Sequence, residues 1–282
     1  MNTLIFTRTI PDSRSIDNYQ EDFYASFKHD ESWRKAFNIG APLNTVVNEG
    51  GHSLTADGSA MFFTICPDIG IGYGEGRSGY GSCDIFVSFL RNGKWSSPKN
   101  LGPRVNHKKH DAQPSMSSDG RTLYFSSTRP GGYGENDIYV TYLTENGWSV
   151  PQNLGGVINT PGREEGVFIH PDNNTLYFSS NGHPGLGEND LFMSKKQTDG
   201  SWSKPLNLGF PINTSKNDFD FTVDALGDYA YLTSDRDGGF GDWDIYKFKL
   251  PDYLKPTPVT YVTGKTFDSE TKLPLGARFE LK

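Results

Sequence analysis

The sequence predicts an all-β chain built from repeated four-stranded units, and three observations carry that prediction. One phrase recurs as Asp22-Phe23-Tyr24, Asp84-Ile85-Phe86, Asp137-Ile138-Tyr139, Asp190-Leu191-Phe192 and Asp244-Ile245-Tyr246, its aspartates 62, 53, 53 and 54 residues apart. A period of that size marks a radial or solenoid array. A tryptophan follows each of the first four phrases by 11 or 12 residues (Trp33, Trp95, Trp148, Trp202), and an asparagine follows each tryptophan by 11 (Asn44, Asn106, Asn159, Asn213). Each unit holds about four short segments rich in aromatic and β-branched residues, and no 11-residue stretch has helical apolar spacing.

The elements of a unit can be justified in order. Apolar runs at 4–6, 61–63, 123–127, 176–180 and 229–234 read as second strands, and the aspartate phrases open the third strands. Asp57-Gly58, Asp119-Gly120 and Asp172-Asn173 close tight hairpins between first and second strands, because these residues tolerate positive φ. Asn92-Gly93, Asn146-Gly147 and Asp199-Gly200 do the same between third and fourth strands. Second strands reach third strands through glycine-rich loops such as 128–136, 181–189 and 235–243, and fourth strands reach the next unit through segments such as 102–111. In an up-and-down blade both kinds of long connection lie on one face, which is where function is expected.

Such units imply a β-propeller, which closes radially and so removes exposed sheet edges. The chain supplies five second and five third strands but four first and four fourth strands, entering at Leu4 and leaving its last third strand near Leu250. Five blades are the simplest reading, with a sixth open to an intact protein that continues upstream. The tail is a candidate for supplying a closing strand. The expected division is a propeller over 1–250, a linker over 251–258 and a distinct segment over 259–282.

Composition narrows the function classes. A chain of 282 residues with 13% aromatics, 32 glycines and 17 prolines suits one loop-rich β domain. The formal charge of −7, with no basic run to offset it, argues against nucleic acid or anionic lipid as the main partner. No segment approaches the roughly 18 apolar residues of a membrane span, and the opening residues lack a signal-peptide apolar core. Cys66 and Cys83 flank the one insertion that breaks the period. Their place at the two feet of an overlong loop suits a disulfide and hence an oxidising compartment, with two neighbouring free thiols as the alternative.

Segments such as SMSSDGRTLYFSSTRPGGYGENDIYVT resemble the WD-type propeller repeats of TolB-like proteins, in the variety found in Bacteroidetes envelopes. The likeness covers residues 4–250 and is specific for fold, much less so for function. The stretch VTYVTGKTFDSETKLPLGARFELK is similar to the opening of a carboxypeptidase regulatory-like domain, truncated here to 24 residues. A propeller followed by such a domain resembles the middle of OmpA-family envelope proteins, among them the PorE component of type IX secretion. That resemblance implies a periplasmic, outer-membrane-associated scaffold.

Glu49, Asp111, Glu164 and Asp218 fall at one equivalent position, where each innermost strand begins, and form a ring of candidate channel-mouth acids. Five-bladed propellers include glycosidases with paired carboxylates at that place. An acid present in every copy is better suited to accepting hydrogen bonds from its surroundings, with a cation or sugar site as the alternative. The phrase aspartates Asp84, Asp137, Asp190 and Asp244 are expected to bond to nearby backbone N–H groups, with Arg129 and Arg236 as candidate partners. The stretch at 198–202 is similar to a sialidase Asp-box but lacks its spacing, and His107, His110 and Asp111 read as a solvated turn rather than a metal site. No cofactor or metal is expected.

Trp33, Trp95, Trp148 and Trp202 are expected to pack between blades. Tyr73, Tyr80, Tyr133, Phe240 and Trp243 fall within the long glycine-rich loops and are the candidate partner contacts. The expectation is therefore a non-enzymatic binding or scaffold propeller that presents its long-loop face to a protein partner or an envelope glycan. The alternative is a glycan-active enzyme using acids at the same mouth.

Overall fold

The computed structural model describes residues 3–13, 18–30, 32–74, 76–260 and 266–274. Five antiparallel sheets stand in a ring as a five-bladed β-propeller. Blade 1 pairs Thr3–Pro11 with Tyr19–His29, which also pairs with the short outer pieces Ser32–Trp33 and Phe37–Asn38. Blades 2, 3 and 4 each carry a full set. Their inner strands are Asn48–Leu54, Asp111–Met116 and Glu164–Ile169, their second strands Ala60–Cys66, Thr122–Ser127 and Thr175–Ser180, and their third strands Asp84–Arg91, Asp137–Thr144 and Asp190–Lys195. Blade 5 holds Asp218–Val223, Tyr229–Ser234 and Asp244–Lys249 and, among the described residues, no outer strand.

Alternation places the apolar residues of each sheet on faces that meet the neighbouring blades, so the core is divided among the seams. Phe23 of blade 1 packs with Met61, Phe63 and Phe86 of blade 2; Phe62, Ile85 and Val87 pack with Leu123, Phe125 and Tyr139 of blade 3. Ile138 and Val140 meet Leu176, Phe178 and Phe192 of blade 4, and Tyr177, Leu191 and Met193 meet Phe221 and Leu232 of blade 5. Each such side chain contributes about 1.5–3 kcal/mol when fully buried. Three of the four repeated tryptophans, Trp95, Trp148 and Trp202, complete these seams: Trp148 meets Phe62 edge-on at 6.2 Å, and Trp202 meets Tyr124 at the same distance.

Every inner strand carries a β-bulge two residues after its acid, at Gly51, Gln113, Gly166 and Asp220, all with φ between 47° and 56°. The bulge turns the backbone toward the preceding blade. The Gln113 N–H donates to Thr64 Oγ1 of blade 2, and the Gly166 N–H donates to Gln113 Oε1 of blade 3, both at 2.9 Å.

The expected linker is instead part of the packed structure. Leu254, in a 3-10 turn over Asp252–Leu254, is buried in the seam between blades 4 and 5, and its carbonyl accepts the Tyr177 hydroxyl at 2.7 Å. Thr257 N–H donates to Asp172 Oδ2, and Val259 N–H donates to the Ala225 carbonyl. Asp172 and Ala225 belong to the tight hairpins of blades 4 and 5, so residues 251–260 form a strap under the ring rather than a fourth strand for blade 5. The expected second domain falls largely on 261–265 and 275–282, outside the described residues.

Candidate functional site

The long-loop face is built by two repeated clamps. In the first, four of the five phrase aspartates accept the backbone N–H of the residue four positions earlier: Tyr80 to Asp84 at 2.7 Å, Tyr133 to Asp137 at 2.5 Å, Leu186 to Asp190 at 2.6 Å and Phe240 to Asp244 at 2.6 Å; Asp22 instead accepts Gln20 Nε2 and Asn38 Nδ2. Asn100 and Asn153 from the outer strands add side-chain donors to Asp84 and Asp137. In the second, each repeated asparagine grips the residue after the aspartate through both its amide groups. Asn159 Oδ1 accepts the Ile138 N–H while its Nδ2 donates to the Ile138 carbonyl and to Asn153 Oδ1. Asn44, Asn106 and Asn213 do the same for Phe23, Ile85 and Leu191. A buried asparagine thus acts as a strand partner one residue long.

The consequence is a crown. With its backbone N–H held, each residue four before the aspartate must turn its side chain outward, and Tyr80, Tyr133, Leu186 and Phe240 are all exposed, from 47% to fully. Phe210 and Val157, in the loops between blades, add exposed apolar area on the same face. Trp243 is half exposed and leans on Phe219 at 5.7 Å.

Below the crown, the ring acids are buried and bonded. Glu49 receives Thr45 and Arg77; Asp111 receives His107 N–H, Ser127 and Arg129; Glu164 receives Thr160 and Ser180; Asp218 receives Thr214 and Arg236. Burial pushes Glu49 up to about 7 despite the Thr45 and Arg77 bonds. No group of three or more His, Cys, Asp or Glu side chains placed to hold a metal occurs among the described residues. A recess of about 440 Å3 between Pro103–His107, Arg129 and Val150–Pro151, and another of about 260 Å3 beside Trp202, are lined by no carboxylate.

Solved structures with this architecture include TolB from Acinetobacter baumannii, with a TM-score of 0.55 at 14% identity over 94% of this chain and 55% of that one. Its fold is shared with TolB. A candidate TolB from Agrobacterium tumefaciens gives 0.52 at 14% identity over 87% of this chain and 77% of that one, and an α-L-arabinofuranosidase from Lactobacillus brevis gives 0.52 at 13% identity over 93% of each. The chain spans just over half the length of the Acinetobacter protein. No family model and no curated protein matches the sequence.

Several expected positions are corrected by the geometry. Tyr73 is not a surface contact: it is 7% exposed, packs on Phe86, and donates its hydroxyl to the Gly81 carbonyl. Arg129 and Arg236 pair with the inner-strand acids Asp111 and Asp218, both at 2.6 Å, not with the phrase aspartates. Arg77 fills the same role toward Glu49 from within the insertion, where the broken period hid it. Leu186 was missed because it is not aromatic, although its spacing from Asp190 marks it. Cys66 and Cys83 form the disulfide.

Sequence reasoning also missed three acids set inward. Glu21 and Asp220 are close enough to repel, and desolvation is the larger cause of the raised pKa of Glu21 and the cause for Asp220. Desolvation likewise raises Glu165, whose Oε1 accepts Asn136 Nδ2 at 2.6 Å.

Proposed function

We propose that this chain is a non-enzymatic binding or scaffold propeller of the cell envelope, and that its long-loop face engages a protein partner or glycan. The observation that carries this is the crown: four blades use the same aspartate to hold the same loop position, and each presents an apolar side chain to solvent. Rigid loops that present apolar groups lose little conformational freedom on binding. The ring acids, by contrast, have their oxygens taken by neighbouring donors, which favours a structural role over catalysis. The disulfide favours an oxidising compartment, here the periplasm. On this reading the propeller serves an outer-membrane-associated assembly of the kind its repeats resemble, such as a secretion apparatus.

The test is capture and cross-linking from native envelopes with the wild-type chain and with a Tyr133→Ala/Phe240→Ala variant of unchanged melting temperature. Loss of the captured band in the variant is expected. Equal capture would remove this face from the proposal, and turnover of an envelope glycan would overturn the non-enzymatic reading.

A further inference from the structure

Four seams of the ring have an apolar cluster, and the fifth, between blades 5 and 1, has none among the described residues. Among the described residues, both strands flanking that seam lack a partner that every complete blade supplies. Thr3–Pro11 has no inner strand beside it among the described residues, and Leu4, Ile5 and Phe6 are partly exposed while the matching Leu123, Tyr124 and Phe125 are almost fully buried. Among the described residues Asp244–Lys249 has no outer strand, and no asparagine grips Ile245. Ile245 is 41% exposed, whereas Phe23, Ile85, Ile138 and Leu191 are fully buried.

In the filled seams one continuous stretch supplies everything missing here. Residues 147–169, for example, provide the outer pieces Gly147–Trp148 and Gln152–Asn153, the clamp Asn159, the acid Glu164 and the inner strand of the next blade. Charge points the same way. The inner-strand acids of blades 3, 4 and 5 pair with Ser127, Ser180 and Ser234, which sit opposite the phrase aspartates Asp137, Asp190 and Asp244. In blade 1 the residue opposite Asp22 is Arg8, an exposed guanidinium 5.3 Å from the Tyr24 ring centre. An acid arriving on the usual register would meet it.

We propose that these two edges form one docking site for a single extended segment from outside these 282 residues, carrying the pattern Trp-x-x-Pro-x-Asn-Leu-Gly, a clamp asparagine and an inner-strand acid. It adds the outer strand of blade 5 and the inner strand of blade 1 by main-chain pairing, the usual way an exposed sheet edge is satisfied. The chain's own tail is a poor occupant: residues 251–282 contain no tryptophan or asparagine, and 251–260 are strapped under blades 4 and 5. A second copy is no better, because its clamp asparagines are already buried in its own seams.

The probe is a fluorescent synthetic peptide with the sequence of residues 147–169, titrated into the intact chain. Saturable binding is expected, with amide-exchange protection at Leu4–Arg8 and Ile245. A peptide carrying Asn159→Ala should bind at least about tenfold more weakly, since it loses two main-chain hydrogen bonds. Arg8→Glu in the chain should weaken binding, and a peptide carrying Glu164→Lys should restore it. Absent saturable binding, binding indifferent to Asn159→Ala, protection confined to the long-loop face, or a concentration-dependent dimer that the peptide does not dissolve would each overturn the proposal.

Discussion

The backbone N–H of Tyr133 donates to Asp137 Oδ2 at 2.5 Å, and this one bond joins the repeat phrase to the exposed face. The carboxylate also takes Gly134 N–H and Asn153 Nδ2, so a single side chain ties loop, third strand and outer strand together. Asp137→Ala leaves three donors without their acceptor. We expect a loss of about 2–4 kcal/mol in urea unfolding, with faster amide exchange at Tyr133 and Gly134. Unchanged exchange there would show that the loop holds itself.

The Cys66–Cys83 bond closes the one overlong loop, at a sequence separation of 17. A double change to serine should lower stability by roughly 3 kcal/mol through the entropy of the opened loop in the unfolded chain. Comparing oxidised and reduced wild-type protein by urea unfolding checks the same figure without mutation.

Glu49 supplies a pH dependence of definite sign. Its folded pKa lies at about 7 against an ordinary 4.5, so the folded state holds the proton more tightly than the unfolded state does. The contribution is full below pH 4.5, declines as pH rises and is lost by about pH 7. Glu49→Gln removes it, so the variant should gain on wild type between pH 5 and pH 8 by on the order of 3 kcal/mol at most. A constant difference across that range would show that Glu49 binds its proton no more tightly in the folded state than in the unfolded one.

Leu254 tests the strap. Truncation to alanine should cost about 2–3 kcal/mol, because the side chain is fully buried and leaves a cavity in the seam between blades 4 and 5. A free linker would show no change in melting temperature.

Much of this was legible in the residues themselves. The aspartate spacing sets the blades, and Asp-Gly and Asn-Gly pairs mark hairpins, because both depend on local backbone preference repeated at a constant interval. The site was legible in part. Tyr133 and Phe240 stand out as aromatics in glycine-rich loops, but Tyr73, in the same kind of loop, is turned inward. The difference is that Tyr73 sits in the insertion, outside the register that holds Tyr80, Tyr133, Leu186 and Phe240.

Sequence alone determined the unit, its period, its turns and the face that carries the long loops, since each follows from chain-local chemistry. Tertiary structure decided which acid meets which arginine, which loop residues reach solvent, that residues 251–260 strap two blades, and that one seam lacks its strands. Those outcomes depend on groups far apart in sequence arriving at one place, and on burial, which a residue acquires only from what packs over it.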